Sequence, residues 1–389
     1  MEAPSANDYD VVIVGAGPAG SSLAIRLAQI GLKTLLVEQK KFPRAKLCGE
    51  FISPECLGHF AELDVLQDMN VAGAVALERT VFYARNGKSI AVPSEWFQSN
   101  SYALGLSRTA MDNALLEKAL GAGARVMQET HASRLIFEEE KVHGVRLKNN
   151  HCGEFAVRAP LTVDATGRAG ILTRQWDIGK RKRAPFVAFK THLKGADIPP
   201  GDCEIYSYHG GYGGCTGIEN GLHNLCFIVP SKVAKEFGGD AETIMQNTVL
   251  LNKRIARALR GARTVEDWLA VPIERYGRAE LAPAVGLLTV GDAAAFIDPF
   301  TGGGILLALQ GSQLAARVII EEFSKPYAQR SFAALAQTYH QLYGSAFDRR
   351  LYISSTIRTA AFVRHLPGFL ISILSSNDRL LRGLVRATR

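Results

Sequence analysis

The segment Gly15-Ala16-Gly17-Pro18-Ala19-Gly20 constrains the fold more than any other feature of this sequence. A short apolar run over 10–14 precedes it, and the spacing of apolar residues predicts a helix over 21–29. A second apolar run follows at 34–37 and closes on the acidic Glu38. This strand–turn–helix–strand unit of about 30 residues is typical of the half-domain that binds a dinucleotide.

The residue types in the turn explain how it would hold a phosphate. Gly15, Gly17 and Gly20 permit a tight turn, and with Ala19 they let backbone N–H groups approach a pyrophosphate at the positive end of the helix. Glu38 lies about 20 residues further on, where an acidic side chain accepts hydrogen bonds from ribose hydroxyls. Its charge also argues against a nucleotide with a 2′-phosphate at this site.

Three further segments carry a family resemblance. They are Leu106-Ser107-Arg108 with Asp112, the run Asp164-Ala165-Thr166-Gly167-Arg168-Ala169-Gly170, and the block from Leu288 through Gly291-Asp292 and Pro299 to Ile305. Together with the first turn they resemble the FAD signatures of the glutathione-reductase superfamily. Within it, the chain resembles the branch of flavoprotein monooxygenases and geranylgeranyl reductases, which also includes flavin-dependent halogenases. The resemblance covers about residues 8–325.

The resemblance implies a set of FAD contacts beyond the first turn. Asp292 would accept from a ribityl hydroxyl, although an Asp after a strand can also cap a helix. Arg44 and Arg108 would supply cations, with a solvated surface position as the alternative for each. The implied cofactor-binding residues outside the turn are Glu38, Arg44, Arg108, Asp164, Gly167, Gly291, Asp292, Pro299, Gly303, Gly304 and Ile305.

The resemblance also points to residues beside the flavin ring. Gly302 and Gly303 would let the backbone approach the ring, and the helix starting at Gly304 would stabilise the negative charge of reduced flavin. The resembled reductases carry a Cys-Gly pair on a loop near the flavin, which corresponds here to Cys48. We expect Cys48 to tune or gate the reaction and Glu50 to bind a substrate hydroxyl or act as an acid. A loop that only packs on FAD remains the alternative.

The pattern of elements predicts an α/β fold with a discontinuous Rossmann-like FAD-binding domain, an inserted antiparallel-sheet substrate domain and a C-terminal helical tail. The Gly- and Tyr-rich run over 206–215 would floor the substrate cavity or form a strand crossover. Helices are expected over 54–66, 108–122 and 241–259, and a hairpin around Asn86-Gly87. The expected boundaries are 1–75, 100–180 and 275–325 for the FAD-binding domain, 76–99 and 181–274 for the substrate domain, and 326–389 for the C-terminal region.

Composition excludes several other classes of protein. No long uncharged apolar run suggests a membrane span, and the N-terminus lacks a secretory pattern, so we expect a cytoplasmic protein. Six cysteines form no CxxC pair, which argues against a metal site or a disulfide framework. The net charge of +8 comes partly from clusters at 40–46 and 180–183, and these are not interleaved with aromatic residues. We therefore expect no nucleic-acid partner.

The tail over 362–389 alternates apolar patches with arginines. We expect it to pack on the protein as an amphipathic helix. Weak peripheral contact with an anionic membrane, or a cover over a lipidic substrate, is the alternative.

These features predict an FAD-dependent oxidoreductase. The first hypothesis is a monooxygenase that hydroxylates an apolar or aromatic small molecule, with NAD(P)H as a transient reductant because no second GxGxxG appears. The alternative is a reductase of an isoprenoid or other C=C bond. The chain lacks the Tyr-x-Trp-x-Phe-Pro segment of many geranylgeranyl reductases but has the Cys48-Gly49 pair. The missing Trp-x-Trp-x-Ile-Pro segment disfavours halogenation, and a flavin module in an electron-transfer complex is the non-enzymatic alternative.

Overall fold

The computed structural model describes residues 9–97, 101–174, 184–274, 276–362 and 377–388, without the side chains of 360–362. Three features considered above lie outside these residues. They are the N-terminal residues 1–8, the basic cluster at 180–183, and the part of the tail over 363–376 together with residue 389.

The strands range from two to nine residues. In chain order they are β1 (Val11–Val14), β2 (Thr34–Val37), β3 (Phe51–Ile52), β4 (Val75–Leu77), β5 (Arg79–Tyr83), β6 (Ser89–Pro93), β7 (Ala103–Gly105), β8 (Arg125–Met127), β9 (Thr130–Glu138), β10 (Lys141–Asn149), β11 (Gly153–Arg158), β12 (Leu161–Asp164), β13 (Phe186–Lys194), β14 (Asp202–Tyr208), β15 (Gly211–Ile218), β16 (Leu222–Pro230), β17 (Arg263–Thr264), β18 (Leu269–Ile273), β19 (Gly277–Arg278), β20 (Leu287–Thr289) and β21 (Ala295–Phe296).

The α-helices range from 6 to 31 residues. In chain order they are α1 (Pro18–Gln29), α2 (Glu55–Glu62), α3 (Leu66–Val71), α4 (Arg108–Gly121), α5 (Ser231–Glu236), α6 (Ala241–Asn247), α7 (Lys253–Ala258), α8 (Gly304–Phe323), α9 (Phe332–Phe362) and α10 (Asp378–Ala387).

A five-stranded parallel sheet, in the order β20-β12-β1-β2-β8, places the glycine motifs together. Val14 at the end of β1 pairs with Asp164 at the end of β12, and Asp164 pairs with Thr289 at the end of β20. Because parallel strands end at the same edge, the turns that follow these three strands meet there. The α/β fold class and its Rossmann-like core are therefore confirmed.

Helices α1, α8 and α9 build the main core behind this edge. Ser22 of α1 and Ser312 of α8 lie 2.6 Å apart between their hydroxyl oxygens, and Tyr339 of α9 donates a hydrogen bond to the Thr289 carbonyl. Helix α8 is long and apolar enough to cross a membrane, but 61% of its most apolar window is buried inside the protein. Its apolar character is thus explained by its position in the core.

An eight-stranded sheet forms the second layer that matters for the site. Its order is β17-β13-β16-β15-β14-β5-β6, with β18 paired to β13. The β5–β6 hairpin around Asn86-Gly87 forms as expected, and β5 pairs in parallel with β14. The mixed sheet therefore combines two separate stretches of the chain.

The Gly- and Tyr-rich run over 206–215 forms the hairpin between β14 and β15. A Cβ atom added at Gly211 would lie 2.1 Å from the Ile228 carbonyl oxygen, and one added at Gly213 would lie 3.0 Å from Phe227. These glycines therefore allow close packing within the sheet.

Two expected helices are interrupted. The helix expected over 241–259 divides because the Asn252 side chain accepts from Arg254 N, caps α7, and also donates to the Ser207 carbonyl. The helix expected over 54–66 ends earlier, at Glu62 of α2, before Asp64, which has a φ of +54°, and α3 begins only at Leu66. Side-chain capping and one left-handed residue thus override the helical spacing of apolar residues.

The described part of the tail packs on the second layer. Leu381 and Val385 of α10 are buried against Val92 of β6, and the Arg382 guanidinium lies 4.8 Å from the centroid of the Trp96 ring. Leu380 of the same helix is 57% exposed.

Candidate active site

The glycines of the first turn have two different tasks. A Cβ atom at Gly15 would lie 2.3 Å from the Ala165 carbonyl oxygen, and one at Gly20 would lie 1.9 Å from the Gly15 carbonyl oxygen. A Cβ atom at Gly17 would meet only the Arg108 guanidinium, at 3.9 Å. Packing therefore requires Gly15 and Gly20, whereas Gly17 keeps the backbone open towards a ligand.

Glu38 lies directly against this turn. Its Oε2 accepts a hydrogen bond from Ala16 N at 3.0 Å, its Oε1 accepts from Lys40 N, and it forms an ion pair with Arg44 at 3.7 Å. The carboxylate thus helps to hold the turn in shape. Its predicted contact with the adenosine ribose remains a prediction.

Arg44 and Arg108 converge on one buried carboxylate. Asp112 is fully buried and accepts from Arg44 Nη1 at 2.8 Å and from Arg108 Nη2 at 2.7 Å. Burial alone would lower the pKa of Arg108, but the charge of Asp112 and contact with Cys48 outweigh it and raise the pKa. Asp112 therefore holds both guanidinium groups together, and that of Arg108 lies 3.9 Å from a Cβ atom placed at Gly17.

Two further cations, Lys46 and Arg168, belong to the same cluster and were not among the expected contacts. Desolvation, followed by repulsion from Arg44, Arg108 and Arg168, lowers the pKa of Lys46. Burial raises the pKa of Asp292, against the opposing charges of Arg168, Arg108 and Lys46. Cations crowded this closely at the end of a parallel sheet suit the pyrophosphate of a dinucleotide.

Asp164 shapes the loop after β12. Its carboxylate accepts from Thr166 N, Thr166 Oγ1, Leu172 N and Thr173 N, so both oxygens are occupied by the loop. Gly167 in that loop has a φ of +71°, and an added Cβ atom would meet nothing within 4 Å. The open backbone at Gly167, held in place by Asp164, is therefore the part of this motif that a cofactor could reach.

The block over 291–305 provides a second open helix end. A Cβ atom at Gly291 would lie 2.8 Å from the Ala19 side chain, so the late motif packs directly on the first turn. Asp298 accepts from Phe300 N at 2.9 Å, and Gly302 has a φ of +63°. Helix α8 then begins at Gly304, where an added Cβ atom would meet nothing within 4 Å.

Two further residues of the block over 291–305 lie next to the start of α8. Ile305 is buried beneath the helix start, whereas Pro299 is exposed on the turn. Gly304 thus presents backbone and a positive helix end to open space, as a flat anionic ring requires, whereas Gly303 is buried and its carbonyl accepts from Leu307 N.

Glu50 is the most constrained residue of the loop that carries Cys48. It is fully buried with a φ of +54°, and its Oε1 accepts from Lys190 Nζ at 2.5 Å and from Arg108 N at 2.8 Å. Its Oε2 lies 2.7 Å from His192 Nε2. Burial would raise the pKa of Glu50, but the hydrogen bonds and charges of His192 and Lys190 lower it. Glu50 therefore joins the loop to β13 as a carboxylate with both oxygens occupied.

His192 connects this buried carboxylate to the surface. Its Nδ1 lies 3.0 Å from Glu266, whose side chain is 49% exposed. Burial alone would lower the pKa of His192, but Glu50 outweighs that effect and raises it. Lys190 and His192 were not identified from the sequence, although two polar residues at alternate positions of an apolar strand mark one face of the sheet.

Cys48 is held from two sides. Asn224 Nδ2 donates to the Cys48 carbonyl at 3.1 Å, and Glu50 N donates to the Cys48 sulfur at 3.4 Å. The thiol also contacts Arg108, so Cys48 lies between the cation cluster and the inner face of the mixed sheet.

Beside Cys48, the rest of the inner face of the mixed sheet is apolar and aromatic. Phe300 packs against Phe82 and Tyr212, with ring centroids 5.4 and 5.2 Å apart, and the Tyr212 hydroxyl donates to Asp298 at 2.6 Å. Leu47 of the Cys48 loop packs on the same cluster. Both loops that surround the open helix end of α8 therefore abut an apolar surface.

A separate surface cleft of about 620 Å³ is lined by Gln29, Asp68, Glu117 and Lys118 among others. It lies at the C-terminal ends of α1 and α4, whereas the glycine turn and Arg108 lie at their N-terminal ends. The cleft is therefore not part of the site described above.

Sequence comparison relates most of the chain to flavoproteins. The family model described as FAD binding domain matches residues 8–341. The digeranylgeranylglycerophospholipid reductase of Methanosarcina mazei is 32% identical over 334 residues, which cover 81% of this chain and 76% of the relative. A 1H-pyrrole-2-carbonyl-[peptidyl-carrier protein] brominase of Pseudoalteromonas luteoviolacea is 28% identical over 323 residues, covering 80% and 77%.

Solved structures share the fold. A flavin-dependent brominase superimposes with a TM-score of 0.82 at 22% identity, covering 98% of this chain and 94% of that one. A geranylgeranyl bacteriochlorophyll reductase-like protein of Thermoplasma acidophilum gives a TM-score of 0.78 at 24% identity, covering 92% and 89%.

Proposed function

The chain belongs to the FAD binding domain family and is an FAD-dependent oxidoreductase, and from this premise we propose that it reduces carbon–carbon double bonds in an isoprenoid or similar lipid chain. Reductases of a digeranylgeranylated phospholipid are among its relatives at 32% identity. This proposal reverses the order expected from sequence alone, which placed a monooxygenase first.

The site fits FAD on structural grounds. Backbone at Gly17, Gly167 and Gly304 faces open space, and the cations Arg44 and Arg108 lie at the same sheet edge. Bound FAD supplies hydride exchange at its ring. The chain contributes cations for the pyrophosphate, glycine backbone for close approach, and a positive helix end for the ring.

The observation that carries the reductase proposal is the placement of Cys48. Its loop is clamped through Glu50 and Asn224, with the thiol against Arg108 and Leu47 on the apolar cluster. Cys48 thus lies between the cation cluster and the apolar cluster. We propose that it contacts the reacting part of the substrate, and that Glu50 positions it rather than acting as the acid.

The apolar face suggests the chemical class of substrate. Phe82 and Phe300 are half-buried aromatic side chains that pack against Tyr212, and Tyr212 belongs to a buried apolar cluster with Ala188 and Ile228. A prenyl chain would bind there by burial of its apolar surface, which contributes about 0.8 kcal/mol per CH₂ group.

We propose NAD(P)H as a transient reductant. The described part of the chain has one five-stranded parallel sheet, and of the glycine turns at its edge only that over 15–20 has the GxGxxG pattern. We assign this turn to FAD because the cation cluster of Arg44 and Arg108 lies at the same edge. NAD(P)H would therefore approach from the surface without a dedicated domain.

The second candidate is a monooxygenase acting on an apolar or aromatic small molecule. The aromatic contacts of half-buried Phe300 with Phe82 and with buried Tyr212 favour it, because oxygen chemistry on flavin needs a site that excludes water. Dependence of turnover on oxygen, with labelled oxygen found in the product, would support this candidate against the reductase.

We propose that the protein acts in the cytoplasm and touches membranes only peripherally. Leu380 and Leu384 on the outer face of α10 are exposed beside Arg379 and Arg386. Exposed apolar and cationic side chains on one helix suit weak binding to an anionic bilayer that holds a lipid substrate.

The test of Cys48 uses its Ala variant in anaerobic turnover with a prenyl lipid. We expect Cys48→Ala to retain bound FAD and to lose at least about tenfold in double-bond reduction, as expected for loss of a positioned catalytic group. Cys152→Ala, at an exposed cysteine, is the matched control. Equal rates for both variants would remove Cys48 from the reaction.

A further inference from the structure

A small cavity lies between helix α9 and the start of the turn at Pro299. Its volume is about 10 Å³, and its lining includes Tyr276, Asp298 and, on α9, Ser354. The half-buried Arg358, whose guanidinium lies 4.1 Å from the centroid of the Tyr276 ring, borders the cavity. A space of this size accommodates one water molecule and no larger ligand.

Three polar atoms of the lining have no hydrogen-bond partner among the described residues. They are the Tyr276 hydroxyl, Asp298 Oδ2 and Ser354 Oγ, and all three atoms are buried. Asp298 and Ser354 are only 3% and 2% exposed. A buried polar atom without a partner has lost its hydration and gained nothing in return, so such atoms are rare in folded proteins. Three of them around one small cavity point to a common partner inside it.

The two oxygens of Asp298 divide between the turn and the cavity. Its Oδ1 accepts from the Tyr212 hydroxyl at 2.6 Å and from Phe300 N at 2.9 Å, which leaves Oδ2 for the cavity. Burial raises the pKa of Asp298, against the hydrogen bonds of Tyr212 and Phe300 N and the charge of Arg358. Oδ2 needs a partner in either protonation state, because a carboxylate oxygen accepts a hydrogen bond and a carboxyl O–H donates one.

We propose that this cavity is a binding site for one water molecule, held by Tyr276, Asp298 and Ser354. Water has two donors and two acceptors, so it pairs with a carboxyl oxygen and two hydroxyl groups at once. Ser354 lies beyond residues 8–341, which the FAD binding domain family model matches. The water therefore connects the C-terminal helix to the turn that is expected beside the flavin ring. The inference goes beyond the proposed function and holds for any reaction that the protein catalyses.

A crystal structure of the purified protein tests the site directly. We expect electron density for one water molecule within hydrogen-bonding distance, roughly 2.5–3.2 Å, of the Tyr276 hydroxyl, Asp298 Oδ2 and Ser354 Oγ. A cavity without such density would overturn the inference, as would a direct hydrogen bond between Ser354 and Asp298.

Substitutions test whether the two hydroxyl groups act through one water. Ser354→Val replaces the hydroxyl with methyl groups that occupy the cavity, and Tyr276→Phe removes the second hydroxyl but keeps the ring. Ser345→Val makes the same change at an exposed serine of α9 and is the matched control. Urea unfolding of the single variants and of the double variant of Ser354 and Tyr276 gives the unfolding equilibrium constants.

We expect Ser354→Val to raise the unfolding equilibrium constant at least about tenfold over Ser345→Val, because displacing the water leaves Asp298 without a partner. In the double variant the effects of Ser354→Val and Tyr276→Phe should not multiply, since both remove the same water. Effects that multiply would contradict the inference, and so would equal constants for Ser354→Val and Ser345→Val. If Ser354→Val does not fold, the crystal structure decides alone. No substrate is involved, so failure of the proposed reductase activity would leave these results unaffected.

Discussion

The carboxylate of Glu50 lies 2.7 Å from the imidazole of His192, although 142 residues separate them in the chain. This contact, with that of Lys190 to the other oxygen, joins the loop of Cys48 to the mixed sheet. The position of Cys48 beside Arg108 therefore depends on a buried ionic cluster and not on the loop alone.

Glu50→Gln should lower the free energy of unfolding by about 3–5 kcal/mol, because it leaves the buried Lys190 without its counter-charge. Urea unfolding of the purified protein measures this change.

The matched control for Glu50 is Glu266→Gln, which removes the exposed partner of His192 and should cost less than about 1 kcal/mol. Equal losses in the two variants would show that the buried carboxylate is not the centre of the cluster.

Stability should depend on pH through His192. Its pKa is raised above 6.5 in the folded protein, so its contribution is fully present below about pH 6.5 and is lost as pH rises through the folded pKa. The pKa of Glu50 is lowered from 4.5, so its contribution is lost as pH falls through that lowered value.

Thermal unfolding between pH 5 and 9 of wild type and His192→Gln tests the histidine. The unfolding temperature of the wild type should fall above about pH 6.5, and that of His192→Gln should not. In His340→Asn, at an exposed pair on α9, the fall should remain. If the unfolding temperature of His192→Gln still falls above about pH 6.5, another titrating group causes the fall.

The parallel core could be predicted from the sequence because each of its signals is local. Gly15, Gly291 and the Asp164 motif each follow a short apolar strand, and strands of that kind end at one sheet edge. The Glu50 cluster could not be predicted in this way. Lys190 and His192 reach Glu50 only when β13 pairs within the mixed sheet, and this pairing is set by distant parts of the chain.

The burial of Arg350 also could not be predicted from the sequence. In the sequence it is one of several arginines in a helical C-terminal region, and its periodicity does not distinguish it from Arg349. Arg350 is buried and Arg349 is exposed only because of the way α9 packs against α8.

The glycine turn allows a test that separates folding from cofactor binding. Gly17→Ala should fold with little loss of stability, because its Cβ atom would lie 3.9 Å from the nearest side chain, but it should weaken FAD binding at least about tenfold by obstructing the backbone. Fluorescence titration with FAD and thermal unfolding of the apoprotein measure the two effects.

Gly20→Ala is the comparison for Gly17, since its Cβ atom would lie 1.9 Å from the Gly15 carbonyl oxygen. It should destabilise the apoprotein by several kcal/mol, on the order of 3 or more. Unchanged FAD affinity in Gly17→Ala would contradict the assignment of this turn to the cofactor.

Tyr212→Phe should destabilise the Pro299 turn. The substitution removes the donor at 2.6 Å from the buried Asp298, which leaves that oxygen with Phe300 N. The expected loss is about 1–3 kcal/mol in chemical denaturation. Tyr352→Phe, at a 75% exposed tyrosine, should change stability by less than about 0.5 kcal/mol.

The proposed reaction is tested most directly by anaerobic reoxidation of the reduced holoprotein. FAD in the purified protein is reduced without oxygen, a geranylgeranylated lipid is added, and flavin absorbance and lipid mass are followed together. The account predicts that the flavin is reoxidised and that the lipid gains two hydrogen atoms for each double bond reduced. Flavin that stays reduced until oxygen is admitted, with labelled oxygen then appearing in the product, would contradict it.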